Sequence, residues 1–251
     1  MRFHLLCATL SGKGGRFIDI LTTTRKAGQR DLSDPGALED YFQCVRLLEK
    51  EDSREARRRS REICALSARY AREGRDPRML DLHRRALLFD APAEFDAYCR
   101  YIEWERDNPF YMPRRRHLRP LAQALQRLAE GDLELLAISL PPGVGKTTLA
   151  LFFLTWLGGR EPGKPILGGS HSNAFLRGAF SECQRILNPK GEYLWRDVFP
   201  DVKLVKSNAE DLFLDLGSVT LHLHAREGVG YTLAYLPAKA LYGSRALSCQ
   251  P

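Results

Sequence analysis

A short apolar run, LELLAISL at residues 133–140, leads into Pro141-Pro142-Gly143-Val144-Gly145-Lys146-Thr147-Thr148 and then into the apolar stretch LALFFLTWL. Nothing else in the chain restricts the fold as strongly. A continuous apolar run of this length between turn residues has the pattern of a buried strand in a parallel sheet. Residues 146–157 then read as an apolar helix, which Gly158-Gly159 and Pro162-Gly163 are expected to end. A glycine-containing turn between strand and helix aims free backbone N–H groups and the positive end of the helix dipole at one point, as a polyphosphate requires. Glycines let the backbone wrap closely enough to use those donors.

The residue types in the turn fit that chemistry. Pro142, Gly143, Val144, Gly145, Lys146, Thr147 and Thr148 form the expected nucleotide-binding set. Lys146 is expected on the β- and γ-phosphates, the Thr147 hydroxyl on Mg²⁺, and Thr148 at the helix start. The usual pattern asks for glycine at the position held by Leu140, whereas Gly145-Lys146-Thr147 matches it. The bland reading is a strand-to-helix turn in an α/β domain that binds no nucleotide.

Around this core the pattern continues as strand and helix. Residues 165–170 read as a second strand and 172–187 as a second helix, so the expected fold class is α/β, a P-loop NTPase parallel sheet with helices on both faces. A helical N-terminal region precedes it. Leu38, Tyr41, Phe42, Val45 and Leu48 recur at three- and four-residue steps, and residues 51–62 mix both charge signs as a solvated helix face does. Residues 93–105 read as another helix, and 118–129 as the helix before the first strand. The expected domains are residues 1–107, helical; 108–221, an incomplete P-loop ATPase domain; and 222–251, an atypical tail.

The 251 residues carry a net charge of +7, which favours a polyanionic partner without specifying one. Cys7, Cys44, Cys64, Cys99, Cys183 and Cys249 form no CxxC pair and have no histidine at ligand spacing, which argues against a zinc site or a disulfide scaffold. Scattered thiols and the lack of a membrane-length apolar run point to the cytoplasm, with no membrane partner. The short apolar stretch in residues 1–10 is too interrupted for a signal peptide. Ser11-Gly12-Lys13-Gly14-Gly15 lacks the hydroxyl after lysine and reads as a flexible turn. His222 and His224 alternate on a strand-like run, and two histidines alone do not make a metal site.

Several ordered segments together resemble the phage terminase large subunit. They are Tyr111-Met112-Pro113-Arg114, a following helix, the strand running into Pro141-Pro142-Gly143-Val144-Gly145-Lys146-Thr147, the segment PILGGSHSN at 165–173, and EYLWRDVFPDVKL at 192–204. The resemblance covers about residues 94–216, and the absence of the first loop glycine is common in that family. It implies a viral DNA-packaging motor that uses ATP and Mg²⁺ to move double-stranded DNA into a procapsid in the host cytoplasm. A small terminase subunit and a portal are the implied partners.

Three departures accompany the resemblance. Many relatives carry an arginine within the loop, where this chain has Pro142 and Gly143, and Arg114, Arg115 or Arg116 is a candidate to approach a nucleotide instead. The family continues to an apolar strand ending in paired acids, but no acid follows Glu227, and Asp215 reads as a strand-end residue. An altered reading frame or truncation after about residue 220 is the expected cause. Hydrolysis needs such an acid, so binding without turnover is expected of this polypeptide, and with no segment like the family's nuclease domain no nuclease function is expected. Two alternatives belong to other classes. One is a different P-loop ATPase, AAA-type or helicase, which should retain glycine at position 140 and an acidic pair. The other is an inactive prophage remnant or helical interaction module.

Overall fold

Two aspartates begin the first pair of helices whose starts are capped. Asp34 accepts a hydrogen bond from the Ala37 N–H, with Pro35 as the first helical residue, and Asp52 accepts one from the Glu55 N–H. Each carboxylate satisfies a donor that has no partner within its helix, and proline loses nothing where no N–H is needed. In this computed structural model, residues 13–74, 76–161, 166–170, 172–209, 213–216, 220–225, 233–237 and 246–249 are described. The run at 1–10, the start of the 11–15 turn, Pro165 and the connecting segments of the tail lie outside them.

The chain divides into two compact units, Met1–Asp90 and Ala91–Pro251. The first contains α1 (Lys13–Gly28), α2 (Pro35–Leu48), α3 (Ser53–Arg72) and α4 (Pro77–Asp90). Lys13, Gly14 and Gly15, expected in a turn, open α1 instead, because glycine is tolerated in a first helical turn when the residues after it sustain the helix. The periodic residues Leu38, Tyr41, Phe42, Val45 and Leu48 are all buried, against Ile63 of α3 and Leu82 and Ala86 of α4 in the same core. Arg54, Arg58, Arg61 and Glu62 face solvent, as the mixed charges of α3 predict.

The second unit contains α5 (Phe95–Tyr101), α6 (Tyr111–Glu130), β1 (Leu135–Ile138), α7 (Lys146–Arg160), β2 (Ile166–Ser170), α8 (Asn173–Leu187), α9 (Trp195–Val198), β3 (Lys206–Asn208), β4 (Phe213–Asp215), β5 (Thr220–Ala225), β6 (Leu233–Pro237) and β7 (Ala246–Cys249). The change of composition at Asn108 falls inside this unit. Its centre is α7, which is buried nearly all round, as a helix apolar on every side must be. Phe153 and Trp156 meet the Phe95 ring at 5.3 Å each. The Trp156 indole donates to the Ala91 carbonyl, and the Trp195 indole to the Thr155 carbonyl. The helix continues through Gly158 and Gly159 to Arg160, beyond its expected end, and the Phe199 ring occupies the space a side chain at Gly159 would need, which fits glycine there.

The sheet corrects the expectation of a parallel one. Strand order is β1-β7-β6-β2-β5-β4-β3, with β1–β7 and β2–β5 parallel and the other pairings antiparallel. The β2–β5 pair is separated in sequence by a helix, as a parallel crossover requires. Short connections join β3 to β4 and β4 to β5, and such connections make antiparallel neighbours. Strand β1 lies at the edge, and its Leu135 is 61% exposed rather than buried, while Ile138 of the same strand is buried. Most of the described residues are helical.

Candidate functional site

The turn between β1 and α7 begins with Pro141, Pro142 and Gly143 exposed, and then sinks through half-buried Val144 and Gly145 to a buried Lys146. Gly143 and Gly145 adopt φ of +78° and +101°, the left-handed region that costs any residue with a Cβ about 1–2 kcal/mol. Gly145 immediately precedes the helix. The Lys146 ammonium folds back over the turn and donates to the Leu140 carbonyl at 2.9 Å. Thr147 and Thr148 follow on the first turn of α7, both half-buried. All seven residues of the expected set, Pro142 to Thr148, therefore belong to one continuous turn and helix start.

The wall beside this turn is built by Phe110, which the sequence did not single out, and by Arg114, one of the three candidate arginines. A Cβ placed on Gly145 would lie 2.5 Å and 2.6 Å from carbons of the Phe110 ring, and 3.7 Å from Cδ of Arg114. Gly145 is thus a glycine for two reasons, its backbone angle and the ring against it. Phe110 is fixed in turn. Its ring meets Phe152 of α7 edge-on at 5.7 Å, and its backbone N–H donates to Glu103 at 2.9 Å. The buried Glu103 carboxylate also accepts from the Tyr111 N–H at 2.7 Å and from Arg106 at 2.8 Å. It caps α6 from a site upstream in the chain, since Phe110 provides no side-chain cap of its own.

The three arginines on α6 fall into different surroundings. Arg114 stacks over the Phe110 ring at 5.1 Å and donates to the Phe110 carbonyl at 3.2 Å. Arg115 makes a forked pair with Asp96, through bonds of 2.9 Å and 2.8 Å. Burial works against the Asp96 charge, but the hydrogen bonds from Arg115 and Tyr111 outweigh it and hold the carboxyl below its ordinary range. Burial pushes the Tyr111 hydroxyl up. Arg116 is exposed. The spacing of Phe110 and Arg114, four residues apart at the start of a helix, is the signal by which this stack is readable in the sequence.

Asp215, in β4, is not brought to the turn. Four strands separate β4 from β1, a span of about 24 Å at the usual strand spacing. The parallel neighbour of β1 is β7, whose residues Ala246, Leu247, Ser248 and Cys249 include no carboxylate. Among the described residues, no group of three or more His, Cys, Asp or Glu side chains is arranged to hold a metal ion. His222 and His224 lie on β5, paired with Leu167 and Gly169 of β2. Among the described residues, no helix is long and apolar enough to cross a membrane. Comparison with protein-family profiles, with curated proteins and with solved structures finds no match to this chain.

Proposed function

We propose that the second unit binds Mg-ATP at residues 142–148, as the nucleotide-binding part of a terminase large subunit-like motor for packaging double-stranded DNA. The observation that carries the nucleotide reading is the turn itself. Two left-handed glycines precede a buried helix, and a buried lysine lies back across them with its ammonium on the Leu140 carbonyl. In this reading Lys146 exchanges that carbonyl for phosphate oxygens, and a lysine ammonium has three donors with which to do so. The backbone N–H groups of the turn and of the first turn of α7 supply neutral donors, and the helix dipole adds favourable potential. The Thr147 hydroxyl is the Mg²⁺ ligand. The packaging role rests on the segment resemblance in residues 94–216, with the small terminase subunit, the portal and DNA as partners.

The surroundings favour binding without appreciable hydrolysis. A P-loop ATPase needs a carboxylate to help hold Mg²⁺ and a group to orient the attacking water. Asp215 is five strand positions from β1, and β7 beside β1 carries no acid. Calorimetry of Mg-ATP binding by the full chain and by Lys146→Ala tests the reading. The expected result is saturable binding by the wild type, weakened at least about tenfold in the variant, which corresponds to about 1.4 kcal/mol. Equal binding by the two proteins, or no binding by a folded wild type, would overturn it.

A further inference from the structure

We infer that Arg114 supplies a second cationic contact to the terminal phosphate of a nucleotide held at residues 142–148, an assignment that rests on the nucleotide-binding reading above. Lys146 is the only cation between Leu140 and Thr148, while the polyphosphate of ATP carries several negative charges. Besides Mg²⁺, a second side-chain cation would have to come from outside the turn, and α6 borders it.

Geometry selects among the three consecutive arginines of α6. Arg115 is committed to Asp96 by two hydrogen bonds. Arg116 is displaced from Arg114 by about 200° around the helix, since successive residues turn by about 100°. Arg114 alone is in reach. Its Cδ lies 3.7 Å from where a Gly145 side chain would begin, and the guanidinium extends beyond that carbon. Among the described residues it meets no carboxylate. Its one hydrogen bond, 3.2 Å to the Phe110 carbonyl of its own helix, is a neutral acceptor that a phosphate oxygen outcompetes.

The support beneath Arg114 is fixed by several contacts, whereas its side chain is held by one neutral hydrogen bond and the ring stack. Phe110 carries the guanidinium on its face and presses its ring against Gly145, and Glu103 pins the Phe110 and Tyr111 N–H groups. Swinging Arg114 from this stack toward the turn therefore requires only side-chain rotation. A planar fork of N–H donors matches two oxygens of one phosphate, which an ammonium does not. The competing role is local: an exposed arginine covering an aromatic ring, with no part in binding.

Calorimetry on the full chain separates the two, with Mg-ATP and Mg-ADP as probes and thermal unfolding as a check on folding. Arg114→Gln is expected to weaken Mg-ATP about tenfold or more, and Mg-ADP by less than about threefold, as loss of a charge-assisted contact to the terminal phosphate predicts. Arg114→Lys keeps the charge without the fork and should fall between Arg114→Gln and wild type. Arg116→Gln should leave both affinities unchanged. An ATP-to-ADP preference equal to wild type in Arg114→Gln overturns the assignment of Arg114 while leaving the nucleotide site intact. A folded wild type that binds neither nucleotide overturns the site, and the role of Arg114 with it.

Discussion

The start of α6 in the second unit uses arginine differently from the helices of the first. In the first, arginines are matched to local acids. Arg57 meets Glu49 and Asp90 as well as the Phe89 carbonyl, Arg58 and Arg59 share Glu55, Arg78 forks onto Asp76, and Arg85 spans Glu39 and Asp81. In the second, Arg106 pairs with Glu103 and Arg185 with Glu182, but Arg114 and Arg116 at the start of α6 meet no carboxylate among the described residues, while Arg115 between them is paired with Asp96. The same residue type therefore acts as structural cross-link in both units and as available charge at the start of α6. Net charge over the whole chain conceals this, because a charge already answered by a neighbouring acid attracts a polyanion weakly. The cores differ too. Aliphatic residues with Tyr41, Phe42 and Tyr70 fill the first, and a connected set of aromatic rings around α7 fills the second.

The sharpest way to break this contrast is to remove one of those rings. Phe153→Ala deletes a fully buried ring that touches Phe95 and Trp156, and should destabilise the second unit by about 3–5 kcal/mol. Trp104, Trp156 and Trp195 are the chain's three tryptophans and all lie in that unit, so intrinsic fluorescence during urea unfolding reads the effect directly. A loss below about 1 kcal/mol would mean that the rings are not the unit's core.

Gly145→Ala is expected to come next, at about 1–3 kcal/mol, from a left-handed backbone and a methyl group driven into Phe110. Gly143→Ala meets open space and incurs only the backbone cost, about 1–2 kcal/mol. Phe110→Ala added to Gly145→Ala should recover part of the loss, and added to Gly143→Ala should recover none. Strict additivity in both pairs would remove Phe110 from the wall of the turn.

What the sequence made legible was local. The α2 positions, the turn at 141–148 and the start of α8 at its Ser172 cap are read within one or two helical turns. The true start of α6, seven residues before the expected Leu118, was not. Pro113 looks like a breaker, yet in a first helical turn it removes no needed bond, and the cap comes from Glu103 upstream. Strand order was illegible for a related reason. An apolar run such as LELLAISL fits a central or an edge strand, and only pairing partners far away in sequence decide. The same holds for Asp215, whose distance from the turn is a property of the sheet.

A smaller effect distinguishes the acid responses of the units. Asp96 is two-sided: burial raises its pKa, but Arg115 and Tyr111 hold it below the ordinary value. Its folded-state pKa is therefore depressed relative to the unfolded chain. The stabilisation is complete above about pH 4, the ordinary aspartate value, and is lost as pH falls through the folded-state value. Asp96→Asn should accordingly flatten the acid-side loss of stability seen by tryptophan fluorescence. Glu39 is also depressed, chiefly by its hydrogen bonds from Arg85, but it is more open to solvent and lies in the unit without tryptophan, so Glu39→Gln should flatten the first unit's acid-side curve, read by far-UV circular dichroism, less. Parallel acid-side curves for wild type and Asp96→Asn would show that the Arg115 fork is not formed in solution.

The last expected effect belongs to the first unit and is the smallest of these. Asp52→Ala removes the acceptor of the Glu55 N–H at 2.9 Å and should cost about 1 kcal/mol. Glu55, on the same first turn, complicates the result in a useful way. Hydrogen bonds from Arg58, and then from Arg59, hold its carboxyl down to about 2, so it stays charged when Asp52 is gone and still complements the positive end of α3. If the arginine–acid pairs of α3 organise its start, Asp52→Ala should fray one turn and leave far-UV circular dichroism otherwise unchanged. Loss of most of the helical signal would mean that the cap, rather than the pairs, holds α3 in place. The contrast drawn between the units would then rest on the aromatic core alone.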